Sequence, residues 1–144
     1  MSEYTTLKER HQQEVDAFPF FFAFNNEQFE KGMAKFGLTP KDTDKIYKLG
    51  GMSGFYLRTD APRLKEMFDR HERERQEAIT SDTKGNGYIY HMFLYELANH
   101  EYGYTGDITD TLDALDLTME DVAKNKPLSR GLNKAIKEIR KGEV

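Results

Sequence analysis

The sequence has no cysteine and no apolar run long enough to span a bilayer. Because cysteine is absent, disulfide bonds and thiolate metal ligands are excluded. The N-terminal stretch MSEYTTLKER has no apolar core of signal-peptide length. These absences predict a soluble protein, and a chain without cysteine suits the reducing environment of the cytoplasm.

Lysine and arginine are absent from Gly85 to Ala123, although the chain as a whole contains 21 of them. The net charge of −4 gives no general attraction to nucleic acid. Any binding to nucleic acid would therefore have to use a local basic region of the surface. With 144 residues, 38% of them hydrophobic and 12% aromatic, the chain can bury one ordinary core. We therefore expect a single domain covering residues 1–144.

The stretch Gly87–Tyr102 is apolar nearly all round if it is helical. Ile89, Phe93 and Leu97 fall on one face of such a helix, and Tyr90, Leu94 and Ala98 fall on another. A helix of this kind needs neighbours on most sides. We expect it to be the central helix of the fold.

The remaining segments predict helices around a small sheet. An amphipathic helix is expected from Tyr4 to about Phe18, and a second helix after Asn25 or Asn26, closed by Gly37. The sheet should comprise about three antiparallel strands. They come from the Phe-rich run after Pro19 and from residues 45–49 and 55–58, which flank the glycine-rich loop 50–54.

C-terminal to this sheet region, further helices are predicted. A long helix should begin at Asp60, with Leu64, Met67 and His71 on its apolar stripe, and a flexible connector is expected at residues 81–87. A turn is expected at residues 103–106, and Thr118 should cap a short helix with Asp121 at the capping-box position. A last amphipathic helix should follow Lys126–Pro127. The fold class is therefore α+β, dominated by helices that pack around the central apolar helix.

Acidic residues cluster where the cations are missing. A face formed by them could dock on a basic groove of a partner protein, with complementary potentials steering the encounter. The alternative is that the acids merely cap helix starts. The candidate partner-binding residues are Tyr102, Tyr104, Asp107, Asp110, Asp113, Asp116, Glu120 and Asp121.

The C-terminal segment has the opposite charge and supports a second hypothesis. Its outline of two helices joined by a turn could place cations against phosphates of DNA or RNA. Such an outline is also common among plain helical pairs, for which a solvated basic face is the simpler interpretation. The candidate nucleic-acid-binding residues are Arg130, Lys134, Lys137 and Arg140.

Glu96 and His100 support a third hypothesis, a small enzyme, because residues four apart share a helix face. His91 lies about 180° from His100 on a helix, so the three residues cannot form one metal site. A hydrogen-bonded structural role is favoured for the pair. His11 and His71 lie on apolar stripes and are interpreted as histidines at the edge of the core. We assign no catalytic, cofactor-binding or metal-binding residue and expect no cofactor.

The glycine-rich loop leads into a strand rather than a helix. A phosphate-binding loop needs the amide groups and dipole of a helix N-terminus, and none follows here. A hairpin turn is therefore the preferred interpretation of Gly50–Gly54.

Three runs resemble a family of small uncharacterised proteins of gut bacteria and of their phages and mobile elements. They are YIYHMFLYELANHEYGYTGDITDTLDALDLTMEDV, KIYKLGGMSGFYLRTD and MFDRHERERQEAI. The resemblance extends from about Ala23 to Ala135 and implies no activity, cofactor or catalytic residue. It implies a context in which compact acidic accessory proteins block host defence.

These observations together predict a non-enzymatic binding protein. The expected role is an inhibitor of a host defence or nucleic-acid-handling protein, of the antirestriction or anti-CRISPR type, that acts through its acidic face. A DNA- or RNA-binding regulator and a small enzyme are the alternatives. The sequence leaves the identity of the partner and the oligomeric state open.

Overall fold

The computed structural model describes residues 2–51 and 53–142 and shows the predicted helix-dominated α+β fold. Eight α-helices lie within these residues: α1 (Glu3–Ala17), α2 (Asn26–Lys35), α3 (Ala61–Ser81), α4 (Tyr88–Asn99), α5 (Tyr102–Thr105), α6 (Thr109–Ala114), α7 (Met119–Lys124) and α8 (Lys126–Lys141). Three strands, β1 (Phe21–Phe22), β2 (Ile46–Leu49) and β3 (Gly54–Leu57), form one antiparallel sheet. None of the helices in the described ranges combines the length and the apolar character needed to cross a membrane.

The chain divides into two compact units. We call His11–Glu72 the sheet unit, and Met1–Arg10 with Arg73–Val144 the helical unit. Each unit has buried apolar clusters of its own. The boundaries fall inside α1 and inside α3, so each of these helices contributes residues to both units. The single domain expected for residues 1–144 stays a prediction.

The sheet has the strand order β1-β3-β2. β2 and β3 form the hairpin predicted around the glycine-rich loop, with Ile46 opposite Leu57. The Phe-rich run after Pro19 contributes only two strand residues, of which Phe21 pairs with Phe55. The rings of these two phenylalanines stack with centroids 5.1 Å apart, which places an aromatic cluster on one face of the sheet.

Helix α2 packs against this aromatic cluster. Asn25 caps the helix by accepting a hydrogen bond from the amide of Gln28 at 2.8 Å, as its position in the sequence predicts. Gly32 lies so close to the ring of Phe21 that a Cβ atom there would overlap it. The helix can therefore approach the sheet closely only because residue 32 has no side chain.

A second cluster in the sheet unit joins the ends of α1 and α3. Phe18 is buried with Leu64 and Met67, and Val15 packs against them. Leu64, Met67 and His71 form the buried stripe of α3 at helical spacing, as predicted. This stripe turns His71 toward α1 and sets up the site described below.

Helix α4 supplies much of the core of the helical unit. Ile89, Phe93 and Leu97 are fully buried along one face, and α8 packs against the same core through Leu128 and Leu132. The expectation of a helix enclosed on nearly all sides is only half correct. The side of α4 that carries Tyr95, Ala98 and Asn99 is exposed, because the described helices of this unit cover only one side of α4.

The connector into α4 was expected to be flexible, but hydrogen bonds hold it in place. The carboxylate of Asp82 accepts from the amides of Gly85, Gly87 and Ile89 at 3.1, 3.1 and 2.9 Å. Gly85 has φ +76°, and a Cβ atom there would overlap the carbonyl group of Pro127. A single aspartate thus fixes the connector and satisfies the amide of Ile89 in the first turn of α4, the role that a capping residue usually has.

The short helices after α4 follow the predicted caps. Thr118 and Asp121 form the expected capping box at the start of α7, with bonds of 2.9 and 3.0 Å. Residues 103–106 were predicted as a plain turn, but the one-turn helix α5 occupies most of them and ends at Gly106, whose φ is +71°. Pro127 lies in the first turn of α8, where a missing amide hydrogen costs nothing.

Candidate functional sites

Three potential metal ligands of the sheet unit meet between α1 and α3. His11 and Glu14 lie one helical turn apart on α1, and His71 lies on the buried stripe of α3. One ligand atom from each residue lies within 4.8 Å of the other two. His71 is 2% exposed, whereas the side chain of Glu14 retains 34% of its exposure. The cluster is therefore buried on the histidine side and open to solvent at the carboxylate.

The contacts within this cluster are short and specific. The rings of His11 and His71 stack at 3.8 Å with an interplanar angle of 16°. Nε2 of His71 contacts Oε2 of Glu14. Arg70 donates from its two terminal nitrogens to Oε2 at 3.3 Å and to Oε1 at 3.0 Å. The hydrogen bonds from Arg70, and then the one with His71, hold the pKa of Glu14 below its usual value.

Sequence reasoning placed both histidines on apolar stripes but did not bring them together. Their burial agrees with that placement. Glu14 and Arg70 were not singled out, because hydrophobic periodicity shows which face of a helix is buried and not which helix it meets. The available signal was the His-x-x-Glu spacing of His11 and Glu14, since residues three apart share a helix face.

Glu96 is a buried carboxylate of the helical unit and is 3% exposed. Its Oε1 accepts hydrogen bonds from the hydroxyl of Tyr4 at 2.8 Å and from Nζ of Lys8 at 3.3 Å, and its Oε2 lies 3.4 Å from Nε2 of His100. Burial, together with the adjacent Glu96, raises the pKa of Tyr4. Because both carboxylate oxygens have partners, the geometry favours the hydrogen-bonded structural role over the enzyme hypothesis.

The acidic segment, residues 101–121, lies wholly within the helical unit. The side chains of Asp110, Asp113 and Asp116 are exposed and make no hydrogen bond or ion pair with any residue that the structure describes. Asp110 and Asp113 share a face of α6, and Asp116 follows it with φ +54°. Within the described ranges, no cation lies beside these three carboxylates.

Three other acids of this segment have local roles. Asp107 accepts from the amide of Thr109 at 2.9 Å, and this bond holds the pKa of Asp107 below its usual value. Asp121 belongs to the capping box of α7, and Glu120 pairs with Lys124 at 2.6 Å. A local hydrogen bond before α6 therefore accounts for Asp107, helix capping for Asp121 and an ion pair for Glu120, but none of these accounts for the three free carboxylates.

The two tyrosines predicted as anchors differ sharply in exposure. Tyr102 is 6% exposed and belongs to the core, whereas Tyr104 is 93% exposed on α5. Of the two, Tyr104 alone offers its ring to a partner. It borders a shallow depression of about 550 Å³, lined by Ala98, Glu101, Gly103, Tyr104 and Ile139.

The basic residues of α8 form an exposed stripe. Arg130, Lys134 and Lys137 follow one another at i, i+4 and i+7 and make no ion pair with the described residues. Nζ of Lys134 lies 4.2 Å from the centre of the Tyr90 ring. Arg140 is also exposed, near the end of the helix. The stripe gives the helical unit cationic side chains outside the acidic segment.

The described residues thus form a small helix-dominated α+β protein with a buried His–Glu–His cluster and an unneutralised acidic segment. The chain belongs to the family of unknown function DUF7659, which it matches over residues 3–138. This agrees with the resemblance to uncharacterised small proteins. No curated protein and no solved structure matches the chain.

Proposed function

We propose that this protein is a non-enzymatic binding protein that docks through its acidic segment on a basic surface of a partner protein. The partner chemistry follows from charge, since a surface that normally holds nucleic acid is basic and complements free carboxylates. The resemblance to proteins of gut bacteria, phages and mobile elements supports an inhibitor of host defence, of the antirestriction or anti-CRISPR type. Its site of action would be the cytoplasm.

The observation that carries the proposal is the set of free carboxylates at Asp110, Asp113 and Asp116. Of the four other carboxylates of the segment, three have a local role: Asp107 accepts a hydrogen bond, Asp121 belongs to a capping box and Glu120 forms an ion pair. Asp110, Asp113 and Asp116 have no such role among the described residues. Tyr104 adds an exposed aromatic ring to the same stretch of chain. Tyrosine is enriched in interfaces because it buries a large area at low entropic cost.

Charge reversal at these positions tests the proposal. The protein is titrated into DNA-cleavage assays with a panel of restriction enzymes and RNA-guided nucleases. Wild type is expected to inhibit a member of the panel, with an affinity that weakens as salt rises. The triple variant Asp110→Lys, Asp113→Lys, Asp116→Lys should lose about tenfold or more in affinity, because like charges then face each other.

A matched control separates the position of the charges from their total. The variant Glu27→Lys, Glu30→Lys, Asp44→Lys changes three exposed acids of the sheet unit and carries the same net charge. It should inhibit nearly as well as wild type. Equal losses in the two variants would show that only overall charge matters, and the docking surface would then be abandoned.

The basic stripe of α8 supports a second candidate function, a DNA- or RNA-binding regulator. Arg130, Lys134 and Lys137 are exposed on one face and have no carboxylate partner in the part of the chain that the structure describes, as phosphate-contacting residues need to be. Affinity for duplex and single-stranded probes is then expected to fall steeply with salt, and Lys134→Gln should reduce that slope. A protein that binds neither probe at low salt would exclude this candidate.

A further inference from the structure

We propose that His11, Glu14 and His71 form a zinc-binding site in the sheet unit. Two imidazole nitrogens and one carboxylate oxygen are a common protein ligand set for zinc, in which a water molecule completes a tetrahedron. Imidazole donors favour zinc and related transition metals over magnesium and calcium, which prefer oxygen ligands. This inference is independent of the acidic segment, which lies in the helical unit.

The positions of the three residues fit such a site. Zinc–ligand distances of about 2.0–2.2 Å place tetrahedral ligand atoms roughly 3.3–3.5 Å apart. The candidate ligand atoms lie within 4.8 Å of one another. Side-chain rotations that turn at least one imidazole out of the stack would therefore bring all three onto one ion. The helix backbones set the arrangement, since His11 and Glu14 share one face of α1 and His71 faces them from α3.

The cluster brings two imidazole rings to one carboxylate. His71 contacts Glu14, and the ring of His11 stacks on that of His71 with centroids 3.8 Å apart. A zinc ion lies in the plane of each imidazole that binds it, so one ring turns out of the stack when both contribute a nitrogen.

Arg70 has a double effect on the proposed site. Its hydrogen bonds to Oε1 and Oε2 of Glu14 fix the carboxylate, and Oε2 also contacts His71. Hydrogen bonds of this kind orient ligating carboxylates in metal sites. Its positive charge also opposes a cation, although Glu66 lies 3.7 Å from the Arg70 Nε and offsets part of it. The site should therefore bind zinc with moderate affinity.

Direct binding to the full chain tests the proposal. After treatment with a chelator, the protein is titrated with zinc by calorimetry and with Co²⁺ by visible spectroscopy. We expect one ion per chain in the micromolar range, the absorption of tetrahedral Co²⁺, and a higher melting temperature with zinc. Glu14→Gln and His11→Gln should each weaken binding by about tenfold or more.

Two controls make the result decisive. His100→Gln removes a histidine of the helical unit that pairs with Glu96, and it should leave zinc affinity unchanged. Glu14→Gln changes a partly exposed side chain without changing its shape, so circular dichroism of the metal-free variant should match wild type. The proposal is overturned if wild type binds no zinc below the millimolar range, if Glu14→Gln binds as wild type does, or if His100→Gln removes the binding.

Discussion

At the scale of single residues, Glu96 shows how a charge is accommodated in the core of the helical unit. It is almost fully buried, and the hydroxyl of Tyr4 is the closest hydrogen-bond donor to its carboxylate. A buried carboxylate that loses a donor keeps its desolvation cost without compensation. The contact also ties the first turn of α1 to α4.

Tyr4→Phe is expected to lower the free energy of unfolding by about 1–3 kcal/mol, because it removes a hydrogen bond to a buried charge and keeps the ring. Urea unfolding at neutral pH measures this loss. Tyr95→Phe is the matched control: its ring also contacts Tyr4, but its hydroxyl makes no hydrogen bond with the described residues. A loss as large in the control would show that ring packing, and not the bond to Glu96, causes the effect.

Because Tyr4 is itself titratable and lies beside Glu96, the effect of Tyr4→Phe on stability should depend on pH. The pKa of Tyr4 is raised in the folded protein, so above the ordinary tyrosine value of about 10 the unfolded chain loses a proton that the folded chain keeps. The contribution of Tyr4 to the free energy of unfolding is therefore fully present below pH 10 and falls as the pH rises above it. The difference in unfolding free energy between wild type and Tyr4→Phe should therefore shrink above pH 10. A difference that grows there would contradict the raised pKa of Tyr4.

At the scale of elements, the packing of α8 on α4 depends on Gly131. A Cβ atom at this position would overlap the side chain of Ile89 and lie 2.7 Å from the carbonyl oxygen of Gly85. Glycine is otherwise a poor residue for the middle of a helix, by about 1 kcal/mol relative to alanine. Close approach of the two helices is the physical reason for its presence there.

Gly131→Ala should therefore destabilise the protein, although alanine favours a helix. Overpacking of this kind costs about 1–3 kcal/mol and exceeds the gain in helix propensity. Thermal and urea unfolding measure the net change. Asn133→Ala, at an exposed position of the same helix, should leave stability unchanged or raise it slightly. A stabilised Gly131→Ala protein would mean that α8 and α4 pack less closely than the structure shows.

Most elements could be predicted from the sequence because their end signals are local. Asn25, one of the two expected caps of α2, and Thr118 have the predicted capping roles. The last helix starts slightly earlier than predicted, because Lys126 and Pro127 lie in its first turn rather than before it. The connector before α4 was misjudged for the opposite reason. Asp82 reaches amides up to seven residues away, and composition alone suggests a loop there.

The candidate sites differ in how far they could be predicted. The acidic segment is contiguous, so the sequence indicates it directly, and the structure adds which of its side chains have partners. The His11–Glu14–His71 cluster joins residues far apart in sequence. It depends on which face of α1 meets which face of α3, and this is decided by the packing of Phe18, Leu64 and Met67.

At the scale of the whole molecule, the division into two units could not be predicted, because no linker or shift in composition marks it. The boundaries lie within two continuous helices, between Arg10 and His11 in α1 and between Glu72 and Arg73 in α3. If one unit unfolded alone, each helix would end in its middle and leave backbone groups without intrahelical partners. From helix continuity we expect cooperative unfolding, and the single domain stays a prediction.

Cooperative unfolding can be tested by weakening each core separately. Met33 of the sheet unit and Leu97 of the helical unit are fully buried, so Met33→Ala and Leu97→Ala should each cost about 2–5 kcal/mol. Hydrogen exchange then reports the opening energy of α2 and of α4 in both variants. If the chain unfolds as one domain, either variant lowers protection of the slowest amides in both helices equally. If each variant affects only its own unit, the units unfold independently, and the single-domain prediction is wrong despite the two continuous helices.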